Sequence, residues 1–243
     1  GVAELGISDV NQSDFNEYIE ETPDLNATVF HDGFCRRNTG VAIIIKNTSN
    51  MFRNPVQRFY QQQRHEKLQL VVVDAMAGDQ EVRLLCSHAP PSAEPAEKIK
   101  HYSRIKKVMQ EISKEHSKKP IIWMADHNMI LEKCDEEEHK INKSTSRLSE
   151  ARKYLSDIME EWDIKDVYRV IHGTDTNYTH GTRRIDMIFA KKIWCKDTEE
   201  LPRITQMMHI ERVDFDYLVT SSLGKEMKRH GYKAIQIHMR FTN

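Results

Sequence analysis

The sequence is short of cysteine, proline and glycine. It has no long apolar run and no excess of charge of either sign. Its four cysteines, Cys35, Cys86, Cys134 and Cys195, are far apart and form no C-x-x-C pair. A zinc site or a disulfide framework is therefore set aside, and reduced thiols in an intracellular compartment, nuclear or cytoplasmic, are expected. The 9 glycines and 7 prolines gather into no Pro/Gly/Ser-rich linker, so the 243 residues are read as one domain. No stretch is apolar for long enough to span a bilayer, and the N-terminus lacks a basic-then-apolar signal pattern, so no membrane partner is expected. No internal repeat is visible. Lys+Arg is 36 against Asp+Glu 37, a formal charge of −1. Net charge thus gives no pointer to nucleic acid, and such a partner would need a lopsided surface.

What the sequence does have is a short apolar run with a polar tip, Ile121-Ile122-Trp123-Met124 followed by Ala125-Asp126-His127-Asn128. Its length and its β-branched and aromatic residues suit a buried strand. Asp126 and Asn128, two residues apart at its end, would point to one side of the sheet. A carboxylate beside an amide suits a hydrated Mg²⁺ or a phosphate oxygen. A strand end closed by an Asx turn has the same look.

Around this run the chain reads as strands, helix, strand, helix, strands. Leu5-Gly6-Ile7, ending near Asp9, is expected as a strand, as are Ala27 to Phe30 and Gly40 to Lys46. Leu68 to Asp74 and Gln80 to His88 flank Ala77-Gly78-Asp79, a hairpin signal. Ala93 to His116 carries Ile99, Tyr102, Ile105, Val108, Met109 and Ile112 at steps of three and four, which predicts a helix. Its lysines and arginines, Lys98 included, read as a solvated face, and His31, His65, His101, His116 and His139 as surface residues. Glu132 to Arg147 reads as a charged irregular loop and Leu148 to Glu161 as a second helix. Tyr178-Thr179, Arg184 to Ala190 and the alternating run Ile235 to Phe241 read as strands. Trp123 and Trp162 are expected in the core, and His172 behind Tyr168. The class is α+β, with sheets faced by helices. Acidic residues recur at strand ends, at Asp9, Asp126 and Asp186, which favours a functional reading of Asp126.

These residues carry a resemblance. Asp126-His127-Asn128 after an apolar strand resembles the Gly-Asp-Phe-Asn motif of the endonuclease/exonuclease/phosphatase superfamily. Arg184-Ile185-Asp186-Met187-Ile188 resembles its Ser-Arg-Ile-Asp-Tyr-Ile motif. Cys86-Ser87-His88-Ala89-Pro90 sits where that family has Tyr-Ala/Val-Pro-Asn. Lys140-Ile141-Asn142-Lys143, the run Trp162 to His172, and Asn177-Tyr178-Thr179 are similar in order and spacing to the endonuclease domain of LINE-type non-LTR retrotransposons. The resemblance implies a four-layer α/β/β/α sandwich and hydrolysis of a DNA phosphodiester with Mg²⁺ or Mn²⁺. It also implies a place in a larger polyprotein with a reverse transcriptase. Aligned on these motifs, the family's first strand and its Asn have no counterpart in the sequence.

By position, the resemblance gives Asp126 the attacking water, Asn128 a phosphate oxygen and Asp186 the orientation of a catalytic His. Asp9 stands where the family has a metal-binding Glu. Thr179, Arg183 and Arg184 fall to the nucleic-acid backbone. The departures bear on catalysis. Asp9 is a methylene shorter than Glu. His88 replaces a Tyr, Pro91 an Asn and His127 a Phe. The closing Ser-Asp-His is replaced: aligned on Lys233-Ala234-Ile235, Gly231 takes the Asp position and Tyr232 the His position. His230 is the nearby imidazole, and His88 the other candidate for that role. Thr179 to Arg184 is too short for the hairpin that retrotransposon enzymes place in the DNA minor groove. The alternative to a nuclease is an inactive pseudo-nuclease that binds nucleic acid or protein.

Overall fold

The structure, a computed structural model, describes residues 2–3, 27–31, 41–47, 52–59, 68–91, 94–115, 119–137, 148–176, 178–179, 182–191, 203–210 and 234–240. In chain order the first elements are β1 (Val2–Ala3), β2 (Ala27–His31), β3 (Val41–Lys46), β4 (Phe52–Arg58), β5 (Leu70–Ala77) and β6 (Gln80–His88). Then come α1 (Pro95–Glu115), β7 (Ile121–Asp126), α2 (Ser149–Glu161), β8 (Ile164–Asp166), α3 (Val167–His172), β9 (Asp186–Lys191), β10 (Arg203–Ile210) and β11 (Ala234–Arg240).

A 6-stranded sheet runs in the order β4-β5-β6-β7-β9-β8. The hairpin of β5 and β6 turns at Gly78, whose φ of 60° is one that glycine adopts without a Cβ penalty. The crossover through α1 sets β7 parallel to β6, while β9 runs antiparallel to β7. Both faces of this sheet are covered, so β5 is apolar nearly throughout. Leu70, Val72, Leu85, Trp123 and Phe189 pack with Tyr102, Ile105 and Met109 of α1 and with Leu155 and Ile158 of α2. The alternate residues, Val71, Val73, Leu84, Cys86, Ile122 and Ile188, pack against Val41, Ile43 and Ile45 of β3. The latter strand is the centre of a 3-stranded sheet, β1-β3-β2. Helices, sheet and facing sheet are three of the four expected layers. The fourth, an outer helical layer, is not found among the described residues.

Several boundaries differ from the sequence reading. β4 is unexpected because Pro55 interrupts it and its apolar residues do not alternate. It sits at a sheet edge, with a register shift between Arg53 and Val56 and with Asn54 at φ 50°, which is where a strand tolerates proline. β10, paired antiparallel with β11, was also unexpected. Thr179 lies in a bend, not a strand: its N–H donates to the Arg183 carbonyl at 3.0 Å. The strand expected at Leu5 to Ile7 lies outside the described residues. His172 does stack on Tyr168, with ring centroids 4.5 Å apart.

Two residues of α1 expected at the surface are buried. Lys98 is 0% and His101 6% exposed, because both extend the inward stripe of Tyr102 and Ile105 by one helical turn. His101 lies near His127, which is fully buried between Tyr102, Trp123 and Phe189. Burial, followed by the nearby His88, Lys98 and Arg104, pushes His101 down to about 3. Burial, followed by His101, Lys98 and Arg184, holds His127 well below 6.5. Both imidazoles are neutral in the folded chain, whereas the unfolded chain protonates them near pH 6.5. The unfolded state therefore binds more protons below that pH, and stability is lost as pH falls from 6.5. Each histidine contributes about 1.4 kcal/mol per pH unit. Urea melts at pH 7 and pH 5 should show a loss of about 4 kcal/mol from the pair. His127→Phe, which fits the apolar surroundings, should remove about half of that loss. An undiminished loss in the variant would rule His127 out as a source of it.

Candidate active site

Three strand ends meet at one rim. His88, the last residue of β6, is the register partner of Asp126, the last residue of β7. Asp126 is in turn the register partner of Asp186, the first residue of β9. Register partners share a face, and the row beneath them is Cys86, Met124 and Ile188. Cys86 and Ile188 belong to the core between the two sheets. The rim therefore caps the space between the sheets, and its three polar residues continue three apolar columns. Asp186 begins its strand because β9 is antiparallel to β7, yet it reaches the same end of the sheet.

Asn128 arrives by a different route from the one the sequence suggests. β7 ends at Asp126, so strand alternation does not align the two side chains. Instead Asn128 adopts φ 46°, a left-handed conformation that asparagine tolerates, and its N–H donates to Asp126 Oδ1 at 2.7 Å. This Asx turn swings the amide back to the rim. Asn128 Nδ2 donates to the Ala89 carbonyl at 2.9 Å and lies 2.9 Å from His88 Nε2. A carbonyl oxygen only accepts, so the amide nitrogen faces both groups, and His88 Nε2 must be the acceptor. The proton of His88 then resides on Nδ1, which donates to Gln69 Oε1 at 2.7 Å. Gln69, His88 and Asn128 thus form a directed chain ending beside Asp126, whose Oδ2 is 4.0 Å from His88 Nε2. Gln69 has no motif to announce it, since it precedes β5 in an apolar run.

The other expected site residues divide three ways. Asp9 and His230 lie outside the described residues. Thr179 is 0% exposed, and its Oγ1 accepts from the N–H groups of Ile185 and Asp186, both at 3.1 Å. Its hydroxyl holds the start of β9, so the structure corrects the phosphate contact expected of it. Arg184 is likewise corrected: it is 0% exposed, with Nε on Asp135 Oδ1 at 2.8 Å and Nη2 on Asp166 Oδ2 at 2.5 Å. Arg183 keeps 45% of its side chain exposed while Nε donates to Glu136 Oε1 at 2.6 Å. Together with Arg152 it borders a small hollow beside Asn128, floored by Met129, Ile130 and Leu148. Among the described residues no three His, Cys, Asp or Glu side chains gather as a metal cluster. The carboxylates of Asp126 and Asp186 still make the rim electronegative, which suits a hard cation with oxygen ligands.

No protein-family model matches the chain, and no curated protein matches its sequence. Solved structures do match. An AP endonuclease from Archaeoglobus fulgidus aligns with a TM-score of 0.64 at 15% identity, covering 98% of this chain and 86% of its own. The 3′ phosphatase NExo from Neisseria, bound to a product DNA hairpin, gives 0.64 at 11% identity over 98% and 86%. The endonuclease domain of TRAS1, a telomere-specific non-LTR retrotransposon, gives 0.54 at 15% identity over 90% and 82%. The chain has the exonuclease–endonuclease–phosphatase fold, a nuclease-like fold, in agreement with the sequence resemblance.

Proposed function

We propose that the chain is a nuclease-type domain of the kind carried by non-LTR retrotransposons. It holds a DNA phosphodiester at the rim of His88, Asp126, Asn128 and Asp186 and hydrolyses it slowly with Mg²⁺ or Mn²⁺. The observation that carries this reading is the register His88–Asp126–Asp186, which gathers two carboxylates and an imidazole on one face at one end of the sheet. Asp126, fixed by the Asn128 N–H, takes the role of orienting the attacking water. Asn128 and Arg183 hold phosphate oxygens, and Asp186 orients an imidazole. Asp9 would be the expected protein ligand of a divalent cation, which when bound would supply charge neutralisation at the phosphate. The rate is low because Gly231 and Tyr232 stand where an Asp-His pair would stabilise the pentavalent phosphorane.

A second reading, an inactive nucleic-acid-binding domain, is favoured by one feature of the rim. Both N–H groups of Asn128 are committed, one to Ala89 and one to His88, so phosphate must displace a bond to gain one. Supercoiled-plasmid nicking and fluorescence anisotropy on a DNA duplex separate the two. Slow nicking that requires Mg²⁺ or Mn²⁺ and vanishes in Asp126→Ala supports the first. Duplex binding with wild-type nicking no faster than that of Asp126→Ala supports the second. In either case Arg183→Ala should weaken binding across sequences and reduce the slope of log affinity against log salt by about 1.

A further inference from the structure

Among the described residues Lys98 is the one lysine with no exposed surface, and its Nζ donates to the Pro90 carbonyl at 2.7 Å and to the His127 carbonyl at 3.0 Å. Those two carbonyls belong to the two loops that carry the rim. Pro90 follows His88 by two residues, and His127 lies between Asp126 and Asn128. The loops also meet through the Ala89 N–H, which donates to the Asp126 carbonyl at 2.8 Å, and through the Asn128 amide on Ala89. Pro90 and Pro91 bring no N–H of their own, so the loop after β6 depends on donors from elsewhere. An apolar residue here would pack as well on α1 and would leave both carbonyls unsatisfied. A buried ammonium is a costly way to satisfy them, and the nearby Asp126 carboxylate offsets part of that cost.

We infer that Lys98 is a positioning residue for the candidate site: its buried ammonium ties the loop after β6 to the loop after β7 and sets positive charge beneath Asp126. The inference rests on the nuclease-type reading of the rim, but its geometry does not depend on turnover. Burial lowers Lys98 to about 8, against the opposing pull of Asp126 and then Glu97. Tyr102, His101 and His127 around it do not change charge between pH 7 and 9. On α1, Tyr102 is raised well above 10 by burial and then by Asp126, and His101 is held near 3. In the loop after β7, His127 is held well below 6.5. His88 of β6 and Arg104 of α1 reach this region through His101.

NMR on the folded chain, with ¹³C at the lysine ε-carbons and ¹⁵N in the histidine rings, tests the coupling without reference to cleavage. Lys98 should titrate near pH 8 in the wild type and at lower pH in Asp126→Asn, which removes the charge that favours the ammonium. In Lys98→Met the His88 ring nitrogens should lose the pattern of a proton fixed on Nδ1. Lys98→Gln, which keeps donors without charge, should restore part of that pattern and is the second variant if the methionine form does not fold. With a nicking assay in Mn²⁺, kcat should fall roughly tenfold or more in Lys98→Met with KM little changed, the size found when groups supporting a site are removed. The inference is overturned if Asp126→Asn leaves the Lys98 titration where it was, or if Lys98→Met folds and leaves the His88 ring signals unchanged. Absence of nicking with the NMR couplings intact would count against the nuclease reading alone.

Discussion

Replacing Arg184 with methionine should destabilise the chain by about 3–5 kcal/mol, the cost of leaving buried carboxylates without their partner. The guanidinium bonds Asp135 through Nε at 2.8 Å and Asp166 through Nη1 at 3.2 Å and Nη2 at 2.5 Å. It also lies 5.1 Å above the Tyr168 ring. Arg169 supplies Asp135 with a second guanidinium. Asp135 is 0% and Asp166 6% exposed, so neither can recover its lost bonds from water. In a chain of this size each kcal/mol moves the melting temperature by about 2–4 °C, so a fall of roughly 10 °C is expected. Arg184→Lys keeps the charge but not the fork, and should recover part of the loss. The double variant Arg184→Met, Asp135→Asn should be less damaged than additivity predicts, because it removes a stranded charge together with its partner. Melting curves for the wild type, the two Arg184 variants, Asp135→Asn and the double variant make the test. A single Arg184→Met variant within about 1 kcal/mol of wild type would mean that the network is not holding these segments together.

That network explains how a motif read for its chemistry also builds the fold. Asp135 Oδ2 accepts the N–H of Leu131 at 3.2 Å and of Glu132 at 2.9 Å, and its carbonyl accepts the Arg184 N–H at 2.8 Å. Asp166 caps α3 by accepting the Tyr168 N–H at 3.1 Å. The loop that carries Asn128 is thereby fastened to the start of β9, two residues before Asp186. In Arg184-Ile185-Asp186 the first residue is structural and the third is at the rim.

How much of this the sequence disclosed depended on whether a residue's role is local. The strands β5, β6 and β7, and the helices α1 and α2, were legible because their apolar residues follow the period of the element that buries them. Asp126 and Asp186 were legible because each flanks an apolar run, Asp126 at its end and Asp186 at its start. β4 was hidden by Pro55, whose tolerance depends on an edge position that only tertiary pairing reveals. Lys98 and His101 were read as surface because charge and imidazole are usually solvated. Their burial follows from what stands opposite α1, namely the carbonyls of Pro90 and His127 and the ring of His127. Asp135 and Glu136 looked like part of a charged loop, yet both are buried against arginines some 47 and 49 positions away in the chain. Gln69 could not be found at all, since a single amide before a strand carries no pattern. Partners distant in sequence are what periodicity cannot show.

The largest effect on activity is expected from restoring the closing motif. β11 begins at Ala234, and Gly231 and Tyr232 stand three and two positions before it in the sequence. If catalysis is limited by the missing pair, Gly231→Asp with Tyr232→His should raise the plasmid-nicking rate by roughly two to three orders of magnitude. That is what a preorganised group stabilising charge on phosphate is commonly worth, about 2–4 kcal/mol. The restored imidazole would be oriented by Asp186, whose backbone is fixed by Thr179. Adding Asp9→Glu extends the expected metal ligand by one methylene and should lower the Mg²⁺ concentration needed for half-maximal rate. The same experiment separates two registers of the last strand. If Tyr232 holds the imidazole's place, His230→Ala leaves slow wild-type nicking unchanged and the double variant accelerates it. If instead His230 is itself the catalytic imidazole, His230→Ala abolishes wild-type nicking and the double variant gains nothing. A triple variant as slow as the wild type, with His230→Ala also silent, would show that neither register supplies the missing group and would leave binding as the function of the rim.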